Sequence, residues 1–382
     1  MRDRRGSEDP QFLEGLLASR KVVVCCGAGG VGKTTTAAAL GLAAAELGRR
    51  VLVLTIDPAR RLVEALGLPD TGARPARVPG PARGSVDAWM LDPKVVFEEM
   101  VHRLSSDPRE VGAILSNRLY QSLRELVAGM QEYTAAEALY TFVESGAYDL
   151  VVLDTPPSRN ALEFLDAPRK LSLFLDERIV GVFLPGQGAG ILARHARGLV
   201  TAIFDRVFGA GFLGEVQGFL AAFSGMFGAM RAHSDAVRLL LQGPEAAFVV
   251  VTSPEPAAIE EAHFLQARLA ELALPFEGYV LNRSWAYTRG LGDPAAVTLP
   301  TDSPSHVQRA LQKLAALAVH ERALAERDRA LLAALSARGA RAMATPYLGG
   351  AIEDLAGLRA LAMSFLAAAP AHRDAASGAD TD

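Results

Sequence analysis

The chain has 382 residues, 50% hydrophobic and 21% charged, which excludes a disordered or fibrous protein and leaves ample material for a large core. Its 39 basic and 43 acidic residues give a formal net charge of −4, so no basic excess exists to drive nucleic-acid binding. The 2 cysteines, Cys25 and Cys26, are adjacent and form neither a disulfide framework nor a CxxC metal site, so the chain reads as reduced and cytoplasmic. No run of about 18 apolar residues predicts a transmembrane helix. The charged start, Met1–Pro10, lacks the apolar core of a secretory signal.

In chain order, short apolar runs predict buried strands at Lys21–Cys26, Val51–Ile56, Asp149–Leu153, Ala247–Thr252 and Gly278–Leu281, with a weaker one at Ala88–Leu91. Helical patterns fall between them at Lys33–Leu47, Ala59–Leu66, Pro93–Leu104, Gln131–Glu144 and Pro256–Ala273, and a last helix covers Ala351–Ala368. This alternation predicts an α/β fold with a doubly wound, mostly parallel sheet. The rhythm breaks over residues 171–242, which hold a string of phenylalanines and read as an inserted apolar α-helical subdomain. The predicted organisation is a flexible N-terminus (1–15), the first part of the core (16–170), the insert (171–242), the second part of the core (243–369) and a disordered tail (370–382).

The first strand runs into Gly27-Ala28-Gly29-Gly30-Val31-Gly32-Lys33-Thr34, which fits the phosphate-loop pattern GxxxxGK[ST]. Glycines there let backbone N–H groups turn towards an anion, and the following helix adds its positive end. Lys33 reaches the β- and γ-phosphates, the Thr34 hydroxyl takes Mg²⁺, and Thr35 contacts the α-phosphate. Phosphoryl transfer also needs a carboxylate for the metal and a group to orient water. Asp57 and Asp154 both stand at strand C-termini, where open α/β sheets bind ligands. They meet at the phosphates if both strands neighbour the first. For either aspartate alone, a helix cap is the competing role.

The GGVGKTT loop, Thr55-Ile56-Asp57-Pro58-Ala59 and Asp154-Thr155-Pro156-Pro157-Ser158 together resemble the deviant Walker A P-loop ATPases of the ArsA-like branch. That branch includes arsenite-pump ATPases and targeting ATPases for tail-anchored membrane proteins. Leu91-Asp92-Pro93-Lys94 and Asn160-Ala161-Leu162-Glu163-Phe164-Leu165 resemble its post-switch segments. The resemblance implies an ATP- and Mg²⁺-dependent hydrolase working as a homodimer. It implies that Lys33 and Asp57 are catalytic, that Asp154 holds Mg²⁺ through water, and that Gly27, Gly29, Gly30, Val31, Gly32, Lys33, Thr34 and Thr35 cradle the phosphates. Asn282 would read the adenine amino edge, although Asn after a strand is also an ordinary turn residue. Pro346 and Tyr347 would close over the base.

Departures from the family pattern matter. Ala28 stands where members commonly carry a lysine that reaches the partner subunit's nucleotide, so either hydrolysis is slow or an arginine (Arg60, Arg61 or Arg159) substitutes. No cysteine cluster for arsenite is present, so no arsenite is expected. In the insert, Phe204, Phe208 and Phe212, and again Phe219, Phe223 and Phe227, lie on one helix face each. Such stripes either pack as an internal core or form a groove for a hydrophobic helical client or membrane-associated partner. The leading expectation is an ATP-hydrolysing switch that rearranges this subdomain. The alternatives are a targeting factor for hydrophobic clients and a low-turnover nucleotide-binding regulator or scaffold. The 7 histidines show no metal-ligand spacing and read as structural or surface residues.

Overall fold

Strands made of Val, Leu and Ala, with no polar face, need cover on both sides, and the chain provides it. A computed structural model describes residues 12–56, 61–68, 74–80, 83–105, 108–116, 128–156, 214, 217–218, 226–287, 304–337, 340–350, 352 and 354–366. The chain divides into two compact units. The first comprises residues 1–90, 146–159 and 241–382, and the second 91–145 and 160–240.

Among the described residues the first unit carries an 8-stranded sheet. Its strands are β1 (Val22–Gly27), β2 (Arg50–Thr55), β3 (Ala76–Arg77), β4 (Ser85–Met90), β5 (Leu150–Asp154), β6 (Ala246–Thr252), β7 (Phe276–Ser284) and β8 (Arg341–Pro346). They lie in the order β3-β4-β2-β5-β1-β6-β7-β8. Only β3 runs antiparallel to its neighbour. Every residue of β1, β5 and β6 is buried. The five strong predicted strands and the weaker one all form, within a few residues of their expected ends. Strands β3 and β8 are additions to the predicted set.

The expected adjacency changes in one respect. Strand β5 neighbours β1, but β2 lies one strand further out, with β5 between them. The end of β2 therefore faces Asp154 directly, with Thr55 in register with it.

Helices of the first unit are α1 (Phe12–Ser19), α2 (Lys33–Glu46), α3 (Arg61–Ala65), α8 (Pro256–Glu271), α9 (Ser305–Ser336) and α10 (Leu355–Leu366). Helix α2 is rich in alanine and lies close on the sheet. A Cβ built on Gly41 would come 2.4 Å from Val53 Cγ2. Alternate residues of the strands (Val23, Val53, Val152, Val249) share one apolar cluster with α1, α2 and α10. Helix α1 begins inside the segment read as a flexible N-terminus: its Phe12, Leu13, Leu16 and Leu17 are buried, and that apolar face gives it a docking surface.

The second unit, in its described part, contains α4 (Pro93–Leu104), α5 (Pro108–Leu115), α6 (Ala128–Glu144) and residues 227–240 of α7 (Phe227–Gln242). Asp92 caps α4 by accepting a hydrogen bond from the Lys94 backbone N–H at 2.9 Å, with Pro93 in the first turn. Glu137 of α6 is buried and takes hydrogen bonds from Arg103 and from His233, whose Nδ1 lies 3.1 Å away. His233 is thus a structural partner of a buried carboxylate. Met226 and Met230 are buried, whereas the phenylalanine stripes lie outside the described side chains. Among the described residues no helix is long and apolar enough to cross a membrane.

Candidate functional site

The phosphate loop sits where β1 hands over to α2. Gly30 and Gly32 take φ of +79° and +89°, a region that disfavours any side chain. A Cβ on Gly32 would also meet Asn282 Nδ2 at 2.2 Å. The glycines therefore allow both the turn and the close approach beneath it. Lys33 is 6% exposed and its Nζ donates to the Ala28 carbonyl at 2.8 Å, arching back over the loop.

Beside the loop, the Thr34 hydroxyl donates to Asp154 Oδ2 at 2.7 Å. The Thr55 hydroxyl donates to the same oxygen at 3.0 Å. Asp154 is fully buried at the end of β5, which runs between β1 and β2, so one carboxylate oxygen is gripped from both sides. Thr155 donates its hydroxyl to the Cys25 carbonyl at 2.8 Å and ties the segment after β5 back to β1. A hydroxyl and a carboxylate side by side are hard oxygen donors, the set that suits Mg²⁺. Asp57, Arg60 and Arg159 lie outside the described residues, and the phenylalanine stripes outside the described side chains. Arg61 is exposed on α3.

The cysteines are chemically muted. Burial pushes the Cys26 thiol up to about 12, and burial followed by the nearby Asp154 charge raises Cys25 as well. Both stay protonated on a fully buried strand.

On the opposite side of the loop, β7 and β8 end together. Asn282 is buried; its Nδ2 donates to the Val31 carbonyl at 2.8 Å, and its Oδ1 accepts from the Thr345 hydroxyl at 2.6 Å. The β7–β8 pairing shifts register between Leu281 and Ser284. Beyond it Tyr347 stacks at a tilt on Trp285, ring centroids 5.2 Å apart. The Tyr347 backbone N–H donates to the Ser284 carbonyl at 3.0 Å, which sets Pro346 and Tyr347 beside Asn282 on neighbouring strand ends.

The residues missed in the sequence are Thr55, Thr345, Trp285 and Asp328. Asp328, from α9, is fully buried and accepts from the Trp285 backbone N–H at 2.8 Å and from the Ser284 hydroxyl at 3.1 Å. Thr55 alone had a local signal, standing two residues before Asp57. The other three are recruited by topology.

Two cavities flank the loop. One, of about 690 Å³, is lined by residues including Lys33, Thr34, Thr35, Arg61 and Arg283. The other, of about 640 Å³, touches Ala28, Val31, Ser253, Glu255 and again Arg283. Either volume lies in the range of small-molecule sites.

Thr34 and Asp154 stand 120 residues apart, yet meet at the mouth of a glycine-rich loop fed by a buried strand. That convergence defines the P-loop nucleoside triphosphatase class. The family is narrower. Residues 20–288 match the model of the anion-transporting ATPases, and the chain belongs to that family of P-loop ATPases. It is 27% identical over 280 residues to the ATPase get3 of Schizosaccharomyces pombe, covering 72% of this chain and 77% of that one. It is 28% identical over 297 residues to the ATPase GET3B of Arabidopsis thaliana, covering 72% and 67%. A protein of Aquifex aeolicus, provisionally named arsenical pump-driving ATPase 1, is 26% identical over 171 residues, 42% of each chain.

Proposed function

We propose that this chain is a Mg²⁺-dependent ATP-hydrolysing switch whose nucleotide state rearranges its helical second unit. The observation that carries the reading is the Thr34–Asp154 pair beside Lys33 at the loop. In this reading, backbone N–H groups of residues 29–34 surround the β-phosphate and Lys33 turns from the Ala28 carbonyl to the γ-phosphate. Thr34 and Asp154 would hold Mg²⁺, which supplies charge neutralisation on the phosphates. Asp57, just past the end of β2, would orient water for in-line attack on the γ-phosphorus. The bond to the β–γ bridging oxygen then breaks, and ADP and phosphate leave. Asn282, Pro346 and Tyr347 would take the adenine.

The output follows from connectivity. Strand β4 leads straight into α4, and β5 leads through Asp154 towards residues 160–240, so the two connections into the helical unit leave from the phosphate end of the sheet. Order and disorder at the γ-phosphate would bias that unit. The resemblance to the targeting ATPases supports a hydrophobic helical client and a homodimer. The buried, protonated Cys25 and Cys26 are poor arsenite ligands, which argues against an arsenite-pump role.

The test is steady-state ATP hydrolysis with Mg²⁺ for the wild type and Lys33→Ala over a range of protein concentrations. Turnover that vanishes in the variant and rises per subunit with concentration supports a hydrolase completed by pairing. Tight ATP binding with no turnover would replace the hydrolase reading with that of a nucleotide-binding regulator. Absence of ATP binding would overturn both.

A further inference from the structure

Arg283 has no role in the site as described, yet its geometry is unusual. It follows Asn282 at the register shift in β7 and holds φ at +56°, one of two non-glycine residues with positive φ among those described. For a residue with a long side chain this conformation is disfavoured and persists only where the surroundings impose it. The surroundings do so here. On one side, buried Asn282 is fixed by Val31 and Thr345. On the other, Ser284 and Trp285 are fixed by the buried Asp328 carboxylate. Between these two anchors the chain turns Arg283 outwards.

It turns towards the phosphate loop. Arg283 lines both cavities beside the loop, sharing one with Lys33, Thr34 and Thr35 and the other with Ala28, Val31 and the acids Glu255 and Glu261. The residue is exposed, and among the described residues no hydrogen bond or ion pair engages it. The cavity that holds Thr34 and Thr35 is lined by Lys33, Arg61 and Arg283 against a single acid, Glu64, and so favours an anion. The loop itself offers no second cation, since Ala28 is apolar.

We infer that Arg283 is a phosphate ligand acting in cis: its guanidinium binds the phosphate chain of a nucleoside di- or triphosphate and supplies, from the same subunit, the cation that Ala28 lacks. Guanidinium suits this role because its fork of donors matches phosphate oxygens. The anchored backbone fixes where the side chain leaves the strand, so its root faces the loop before the ligand arrives and only the guanidinium arm is ordered on binding. The inference rests on the ATP-binding reading above.

The test is equilibrium binding of ADP and of adenosine to the full chain, for the wild type, Lys33→Ala, Arg283→Ala, Arg283→Lys and Arg283→Gly. Loss of one charge-assisted contact should weaken ADP roughly 10- to 100-fold in Arg283→Ala while leaving adenosine unchanged. Arg283→Lys should recover part of the loss. Arg283→Gly relieves the backbone conformation, so its urea midpoint should rise while its ADP affinity falls. A merely structural arginine could not produce that opposed pair. ADP binding equal to wild type in Arg283→Ala and Arg283→Gly, with Lys33→Ala weakened, would overturn the Arg283 inference alone. So would equal losses for ADP and adenosine. No ADP binding by the wild type would overturn the nucleotide reading itself.

Discussion

Asn282 permits a quantitative test of how the phosphate loop is braced. Its two hydrogen bonds, 2.8 Å to the Val31 carbonyl and 2.6 Å from the Thr345 hydroxyl, are enclosed by residues at most 5% exposed. Asn282→Ala removes both partners and leaves a buried carbonyl and a buried hydroxyl to be satisfied otherwise. Each orphaned group costs about 1–3 kcal/mol. The Thr345 hydroxyl can rotate towards another acceptor, whereas the Val31 carbonyl cannot, so about 3 kcal/mol is expected. With a urea dependence of about 3 kcal/mol per molar, the midpoint should fall by about 1 M. Both tryptophans, Trp89 on β4 and Trp285 after β7, lie in the sheet-bearing unit, so tryptophan fluorescence reads that unit without a signal from the second one. Thr345→Val should cost about 1 kcal/mol, and the double variant should cost less than the sum of the two singles, because they break one shared network. Full additivity, or an Asn282→Ala variant that melts with the wild type, would refute the brace.

Three other outcomes are expected. Gly41→Ala gains about 1 kcal/mol of helix propensity but forces a contact of 2.4 Å on Val53, an overpacking that costs about 1–3 kcal/mol. It should destabilise, and Val53→Ala in the same chain should reverse the sign in a urea melt. Asp149 accepts from the Arg50 side chain and backbone, which holds its carboxyl below the usual range. A lowered folded pKa means stability present above about pH 4 and lost as pH falls through the lower folded value. Wild type should therefore exceed Asp149→Asn near pH 6, with the gap narrowing in acid-titration melts as pH falls below about 4 and through the lower folded value. Cys26, with its thiol near 12 and no exposure, should resist thiol reagents at about pH 8 until the sheet unfolds. Rapid labelling of the native chain at Cys26 would contradict the burial.

What was legible in the sequence is local. The phosphate loop could be read because its glycines, lysine and threonine do their work within eight consecutive residues. The buried strands announced themselves through runs such as Val22–Val24 and Val249–Val251. Strand β8 did not: Arg341-Ala-Met-Ala-Thr-Pro has no β-branched run, and it pairs only because β7 offers it an edge. Helix α9 carries so many charged residues that its apolar face is narrow, and only its last part is buried. The order of strands escaped for another reason. Whether β2 or β5 lies beside β1 depends on crossovers that leave no mark on either strand, and the Thr55–Asp154 contact depends on the result. Asp328 and Trp285 come together across 43 residues, at a position where an aspartate in a charged helix looks like any other.

Helix α9 has a mechanical consequence. Its 32 residues make a rod about 48 Å long, yet none of its first 20 residues is buried, while Ala325, Asp328, Leu332 and Leu335 are. The grip is at one end, and that grip is Asp328, which holds the turn just after Asn282. From Asp328 to Ser305 the rod extends about 35 Å. A tilt of about 5° at the pivot would swing the far end by about 3 Å, so adjustments too small to notice around the base of a nucleotide become displacements of atomic size at a distant surface.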